Sequence, residues 1–172
     1  TALGGGVIRD VLLGWFPPRM FTSYAYVAIA VGSALLVFLD ACIRREHYRQ
    51  NRDKLDSVVN VFDALGLGVF TVSGVQMAID QYGMGNPFLL VLMGMTTGVG
   101  GGMLRDVLID AMPKVLRKRI YAVASIVGAI GYYLLLRFGV DQTLSTIIIT
   151  VLITALRILA TVFKWNMPQA KL

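Results

Sequence analysis

The sequence predicts an all-α integral membrane protein built on an internal duplication. Three observations lead there: apolar stretches of about 20 residues, basic residues confined to the links between them, and a Gly-Gly-Gly-x-x-Arg-Asp motif that occurs twice. Of the 172 residues, 56% are hydrophobic and 15% are charged, and the mean hydropathy is +0.70. A soluble core of this size has no way to bury so many apolar faces.

A partial helix is expected over 1–14, ended by Trp15-Phe16-Pro17-Pro18, where paired prolines and interfacial aromatics break it. Full spans are expected at 24–43, 58–79, 87–109, 120–138 and 144–163. Between them lie a polar loop at 44–56, a short turn at 80–86 and a basic loop at 110–119, and a polar tail begins at 164. The 44–56 loop carries five basic residues (Arg44, Arg45, Arg49, Arg52 and Lys54) and the 110–119 loop four (Lys114, Arg117, Lys118 and Arg119). The tail adds Lys164 and Lys171, whereas 80–86 has none and 15–23 and 137–142 have one each. Rich and poor links alternate, which predicts a multi-pass protein of the cell membrane with the rich side and the C-terminus in the cytoplasm.

This distribution accounts for the net charge of +6 and pI near 9.7, and it excludes nucleic acid as a partner. Cys42 is the single cysteine and His47 the single histidine, the latter in a charged loop, so no intrachain disulfide, resident metal or cofactor is expected. No nucleophile–base pair or phosphate loop is present, which excludes the usual enzyme classes.

The duplication is the decisive feature. Residues 1–12 match residues 97–108, an offset of 96, and the match continues without a gap to Pro17 and Pro113 and to Gly32 and Gly128. An odd number of spans separates the copies, so they run in opposite directions and form an inverted repeat. The expected architecture is seven transmembrane helices, three plus three plus one, with the first helix and part of the second missing from this chain. On that scheme 1–43 is a partial first repeat, 44–57 a basic cytoplasmic loop, 58–138 the second repeat, and 139–172 the seventh helix and tail.

Gly4, Gly5 and Gly6, with Gly100, Gly101 and Gly102, are candidates for two readings. Each glycine inside a helix costs about 1 kcal/mol relative to alanine, so a run of three is expected to loosen the helix and expose carbonyls to a water-filled route. The alternative is close helix packing through small residues. Arg9-Asp10 and Arg105-Asp106 either anchor helix ends at the headgroups, line the pore mouths, or pair between helices. Asp63, inside an apolar span with Asn60, Thr71 and Gly74 near the same face, is either functional or an ion pair with Arg105 or Arg157. Thr146, Thr150, Thr154, Arg157 and Thr161 form one helical face, expected to look into protein or water rather than lipid.

Gly4-Gly5-Gly6 with Arg9-Asp10, Gly100-Gly101-Gly102 with Arg105-Asp106, and the stretch from Asp63 to Gly68 together resemble the prokaryotic trimeric intracellular cation channels over essentially the whole chain. The resemblance implies a homotrimer in membrane lipid, each protomer with its own pore for monovalent cations, potassium or sodium. It implies that the two glycine segments are kinked and line that pore. On this reading Thr97 and the glycine carbonyls offer oxygens to the ion. The alternatives are a secondary transporter of a small solute such as glycine, since inverted repeats with broken helices also serve transporters, and a purely structural membrane protein.

Overall fold

The computed structural model describes residues 3–22, 24–43, 52–113, 115 and 120–163. His47, most of the 44–56 loop, half of the 110–119 loop with its four basic residues, Thr1 and the tail lie outside the described residues. The described chain is helical: α1 (Gly4–Leu12), α2 (Arg19–Thr22), α3 (Tyr24–Ile43), α4 (Arg52–Tyr82), α5 (Pro87–Leu108), α6 (Ile120–Arg137) and α7 (Gln142–Val162). Among the described residues, four stretches are long and apolar enough to cross a membrane (Tyr24–Ile43, Ser57–Tyr82, Pro87–Leu108 and Gln142–Val162), and Tyr121–Arg137 is a shorter apolar helix. The protein is therefore a multi-pass membrane protein with the expected order of helices.

Local chemistry sets the helix ends. Asn86 caps α5, its side chain accepting from the Leu89 N–H at 3.1 Å, with Pro87 in the first turn where its missing N–H costs nothing. Asp141 caps α7 in the same way, accepting from Thr143 and Leu144 N–H groups. One boundary differs from expectation. Helix α4 starts at Arg52, within what the sequence reads as loop, and runs for 31 residues. That is about 46 Å of helix against a hydrocarbon core of about 30 Å. Falling hydropathy marks where lipid ends, and the backbone ladder continues past that point.

Helix α4 is the centre of the molecule, packing against α1, α5, α6 and α7. The core lies among these helices and includes Leu67, Val75, Leu90, Tyr132 and Ile153. Helix α3 packs against α2 and buries none of its residues. Its large apolar side chains, such as Ile29 and Leu36, face outward, as lipid contact requires.

Candidate functional site

The two glycine motifs meet. Helices α1 and α5 cross at their triple glycines, and the contacts repeat under the 96-residue offset. A Cβ built on Gly4 would lie 3.0 Å from Leu104 Cδ1, and one on Gly100 would lie 2.8 Å from Ile8 Cδ1. Gly4 corresponds to Gly100 and Ile8 to Leu104, so each contact is the other's mate across a pseudo-two-fold axis. Gly5 and its own counterpart Gly101 lie side by side near that axis. The same equivalence governs the helix ends. The Gly14 N–H bonds to the Val11 carbonyl and Trp15 to Asp10; 96 residues on, Asp110 bonds to Val107 and Ala111 to Asp106. Both are Schellman closures with the left-handed position at residues 14 and 110. The inverted repeat is thus visible in side-chain contacts and in backbone hydrogen bonds alike.

The glycines do not unwind. Gly4–Leu12 and Pro87–Leu108 are α-helix through both triplets. The reason is the closeness of the crossing: a Cβ on Gly5 would collide with the Thr97 carbonyl oxygen. Absence of a side chain lets the two backbones touch, and their intrahelical hydrogen bonds are kept. Thr97 is likewise committed to packing. Its hydroxyl donates to the Met93 carbonyl at 2.6 Å, and it abuts Gly74 of α4, where a Cβ would fall 2.5 Å from Thr97 Oγ1.

Open space lies beside this crossing, along α4. One cavity of about 180 Å³ is walled by Gly6, Arg9, Asp10, Phe70, Ser73 and Met77, among others. A second, of about 320 Å³, is walled by Phe62, Asp63, Gly66, Phe70, Gly102 and Arg105, among others. The α4 contributions, at 59, 62, 63, 66, 67, 70, 73 and 77, recur at spacings of three and four with two adjacent pairs, which places them on one broad helix face. The two motifs therefore each present a glycine and an arginine, Gly6 and Arg9 or Gly102 and Arg105, to cavities stacked along a single face. Gly4, Gly5 and Gly100 sit in the helix contact, and Gly101 both touches that contact and lines the second cavity.

The charges are held differently in the two cavities. Arg9 folds onto its neighbour Asp10, with Nε and Nη2 donating to Asp10 Oδ1 at 2.9 and 2.7 Å. The other oxygen of Asp10 accepts from the Arg19 backbone N–H at 2.9 Å, so this carboxylate joins its own arginine to the start of α2, nine residues on. Arg9 Nη1 also reaches Ser73 Oγ at 3.5 Å. Arg105 pairs with Asp106 in a similar way, Nε donating to Oδ1 at 2.9 Å and Nη2 making an ion-pair contact with it at 2.8 Å. It also reaches Asp63 of α4 at 3.3 Å, and Arg157 of α7 approaches the other Asp63 oxygen at 3.5 Å. Asp63 is an ion pair with both arginines at once. The Arg157 guanidinium lies 4.3 Å over the Tyr121 ring, and the Tyr121 hydroxyl hydrogen-bonds to Asp63.

The α7 stripe faces protein. Arg157 is 2% exposed and the threonines are half-buried, with Thr146, Thr154 and Thr161 donating back to their own helix. Thr71 and Gly74 turn away from both cavities: the Thr71 hydroxyl meets Ser125 of α6 at 2.7 Å and Gly74 meets Thr97. Asn60 reaches Thr161 at 3.3 Å. Sequence reasoning missed Phe70, Gly66 and Ser73. The signal was there in principle, since stepping by three and four from Asp63 passes through all of them.

Known proteins share this fold. A family model described as "Glycine transporter" matches residues 1–41 and 60–137. The structure aligns over 100% of the chain, and 80% of the other protein, with one solved in a study of conductance through TRIC cation channels, at a TM-score of 0.82 and 32% identity. The chain belongs to the trimeric intracellular cation (TRIC) channel family. A TRIC orthologue from Rhodobacter sphaeroides aligns at a TM-score of 0.81 and 31% identity, over 95% of this chain and 79% of that one. Among curated relatives, the UPF0126 membrane protein of Deinococcus radiodurans is 36% identical over 78% of this chain and 59% of its own length. The UPF0126 inner membrane protein YadS of Escherichia coli K12 is 38% identical over 76% of this chain and 58% of its own length. YvgT of Bacillus subtilis is 31% identical over 98% and 78%. The chain thus spans about three fifths of the length of the first two of these relatives.

Proposed function

We propose that this protein is a monovalent cation channel, potassium its main ion, with one pore in each protomer of a homotrimer. The observation that carries the reading is the pair of cavities stacked on one α4 face, each with a glycine and an arginine from one copy of the inverted motif. An ion route across a membrane needs polar groups at both ends and water-accessible space between them. The channel neighbours named above support a cation as the permeant species and a trimer as the assembly. The route runs between the α1/α5 crossing and α4, because the crossing itself is closed by backbone contact. Gly6, Gly101 and Gly102 belong to its wall, Arg9, Asp10 and Arg105 to its mouths, and Asp63, Asp106 and Arg157 to the frame that holds Arg105 in place. Gly4, Gly5, Gly100 and Thr97 bring the two repeats together.

The repeats are taken as 1–43 and 58–138, with 139–172 as the additional helix and tail and 44–57 as the basic link. The protein sits in the cell membrane with its C-terminus in the cytoplasm, surrounded by lipid on faces such as that of α3, and performs no enzymatic step. The test is reconstitution into planar bilayers under a potassium gradient. Unitary current steps that reverse at the potassium potential are expected.

A second reading has its own support. Two cavities on opposite sides of a closed point are also the layout of alternating access, and the family description names glycine transport. Saturable glycine uptake into liposomes, with no unitary current, would establish the transporter and end the channel reading.

A further inference from the structure

We infer that Phe70 is the constriction that controls passage between the two cavities; this rests on the proposed permeation path and names the residue that closes it. Among the described residues, Phe70 is the wall the two cavities share. On the α4 face it comes after Phe62, Asp63 and Gly66 of one cavity and before Ser73 and Met77 of the other. The polar groups on that face, Asp63 and Ser73, thus lie on either side of an aromatic ring. A hydrated cation passing a single apolar ring must shed water with no oxygen to replace it, which is how hydrophobic constrictions close a pore.

Two further features suit Phe70 to this role. A helical side chain lies back over the preceding turn, and the residue there is Gly66. A Cβ on Gly66 would lie 3.9 Å from Phe70 Cε2, so the ring rests beside a position with no side chain to clamp it. Phe70 is also half-buried and stands outside the core cluster, so the fold is not built on its packing. A ring held by the core could not move; this one has room to.

The experiment has two arms. In planar bilayers, Phe70→Ala is expected to raise potassium current several-fold over the unsubstituted channel, Phe70→Leu to fall between them, and Phe70→Trp to reduce it. Unchanged currents in Phe70→Ala, in protein with an unchanged melting temperature, would overturn the proposal while leaving the channel reading intact. The second arm needs no current. In a Cys42→Ser background, Ser73→Cys and Gly66→Cys are exposed to a membrane-impermeant thiol reagent from each side of sealed vesicles. Each is expected to react from one side only, the two from opposite sides, and both from either side once Phe70→Ala is added. Reaction of either cysteine from both sides with Phe70 in place would sink the partition. If no variant carries unitary current, the channel reading fails and the labelling alone decides whether Phe70 separates the cavities.

Discussion

The two copies of the glycine–arginine–aspartate motif share a backbone and differ in what surrounds their charges. At the first copy, Arg9 and Asp10 close on each other, and the spare carboxylate oxygen is taken by the Arg19 N–H nine residues on. At the second, Arg105 closes on Asp106 in a similar way and is then drawn into a network with Asp63 of α4 and Arg157 of α7. Duplication supplied the crossing and the helix ends in pairs. Helix α7 has no counterpart in the described chain, and its arginine, with Asp63, adds charges across helices that the first copy lacks, where the contact to α4 is the neutral Ser73 hydroxyl. The ends of the proposed path are therefore equivalent in shape and unequal in ionic support: across helices Arg9 meets the Ser73 hydroxyl and Arg105 the Asp63 carboxylate.

The strongest way to break this comparison is to remove the carboxylate at the hub. The Asp63 side chain is 4% exposed and Arg157 2%. Asp63→Asn leaves two guanidiniums facing an amide, and uncompensated buried charge of this kind costs about 3–5 kcal/mol. Asp10→Asn strands one arginine that keeps the Ser73 hydroxyl as a neutral partner, for a loss of about 1.5–3 kcal/mol. Thermal or denaturant unfolding in detergent should rank Asp63→Asn well below Asp10→Asn, and adding Arg157→Met to Asp63→Asn should recover part of the loss. Equal costs at the two carboxylates would mean the asymmetry has no energetic content.

A second comparison lies inside a single triplet. Gly5 faces the α5 backbone, where an added methyl meets the Thr97 carbonyl and no rotamer change can relieve it. Gly6 faces open space, with Arg9 Nη2 at 3.7 Å as its nearest neighbour. Gly5→Ala should cost about 1–3 kcal/mol as the helices are forced apart. Gly6→Ala should be neutral or stabilising by up to about 1 kcal/mol, since alanine is the better helix former. Melting temperatures of the two variants decide it, and the packing account of the crossing fails if they shift alike.

These contrasts also mark what could be read from the sequence. Helices α3, α5, α6 and α7 were legible because lipid demands unbroken apolar runs, and the inverted repeat was legible because twelve-residue blocks match at a fixed offset. The pairing of Asp63 with both Arg105 and Arg157 was within reach, since a carboxylate in lipid needs cations and few are at membrane depth. What the triplets do was not legible. Whether a glycine loosens its own helix or admits another depends on the partner backbone, and nothing in Gly4–Gly6 says that Thr97 will press against Gly5. Phe70 gave no local signal either. One phenylalanine among eight in an apolar chain becomes distinctive only when cavities open on both sides of it.

The finest contrast is at the helix ends. Gly14 and Asp110 occupy the same left-handed position of the two Schellman closures, with φ of 77° and 53°. A Cβ at residue 14 would meet nothing within 4 Å, so any cost of a side chain there is backbone strain alone. Aspartate tolerates this conformation better than most residues but less well than glycine. Gly14→Asp is thus expected to destabilise by about 0.5–1 kcal/mol, and Asp110→Gly, at an exposed site, to stabilise by about half that once the extra freedom of glycine in the unfolded chain is counted. The two substitutions install each copy's residue in the other, so their melting-temperature shifts should have opposite signs. Shifts of the same sign would show that the duplicated helix ends have diverged in more than the residue at this one position.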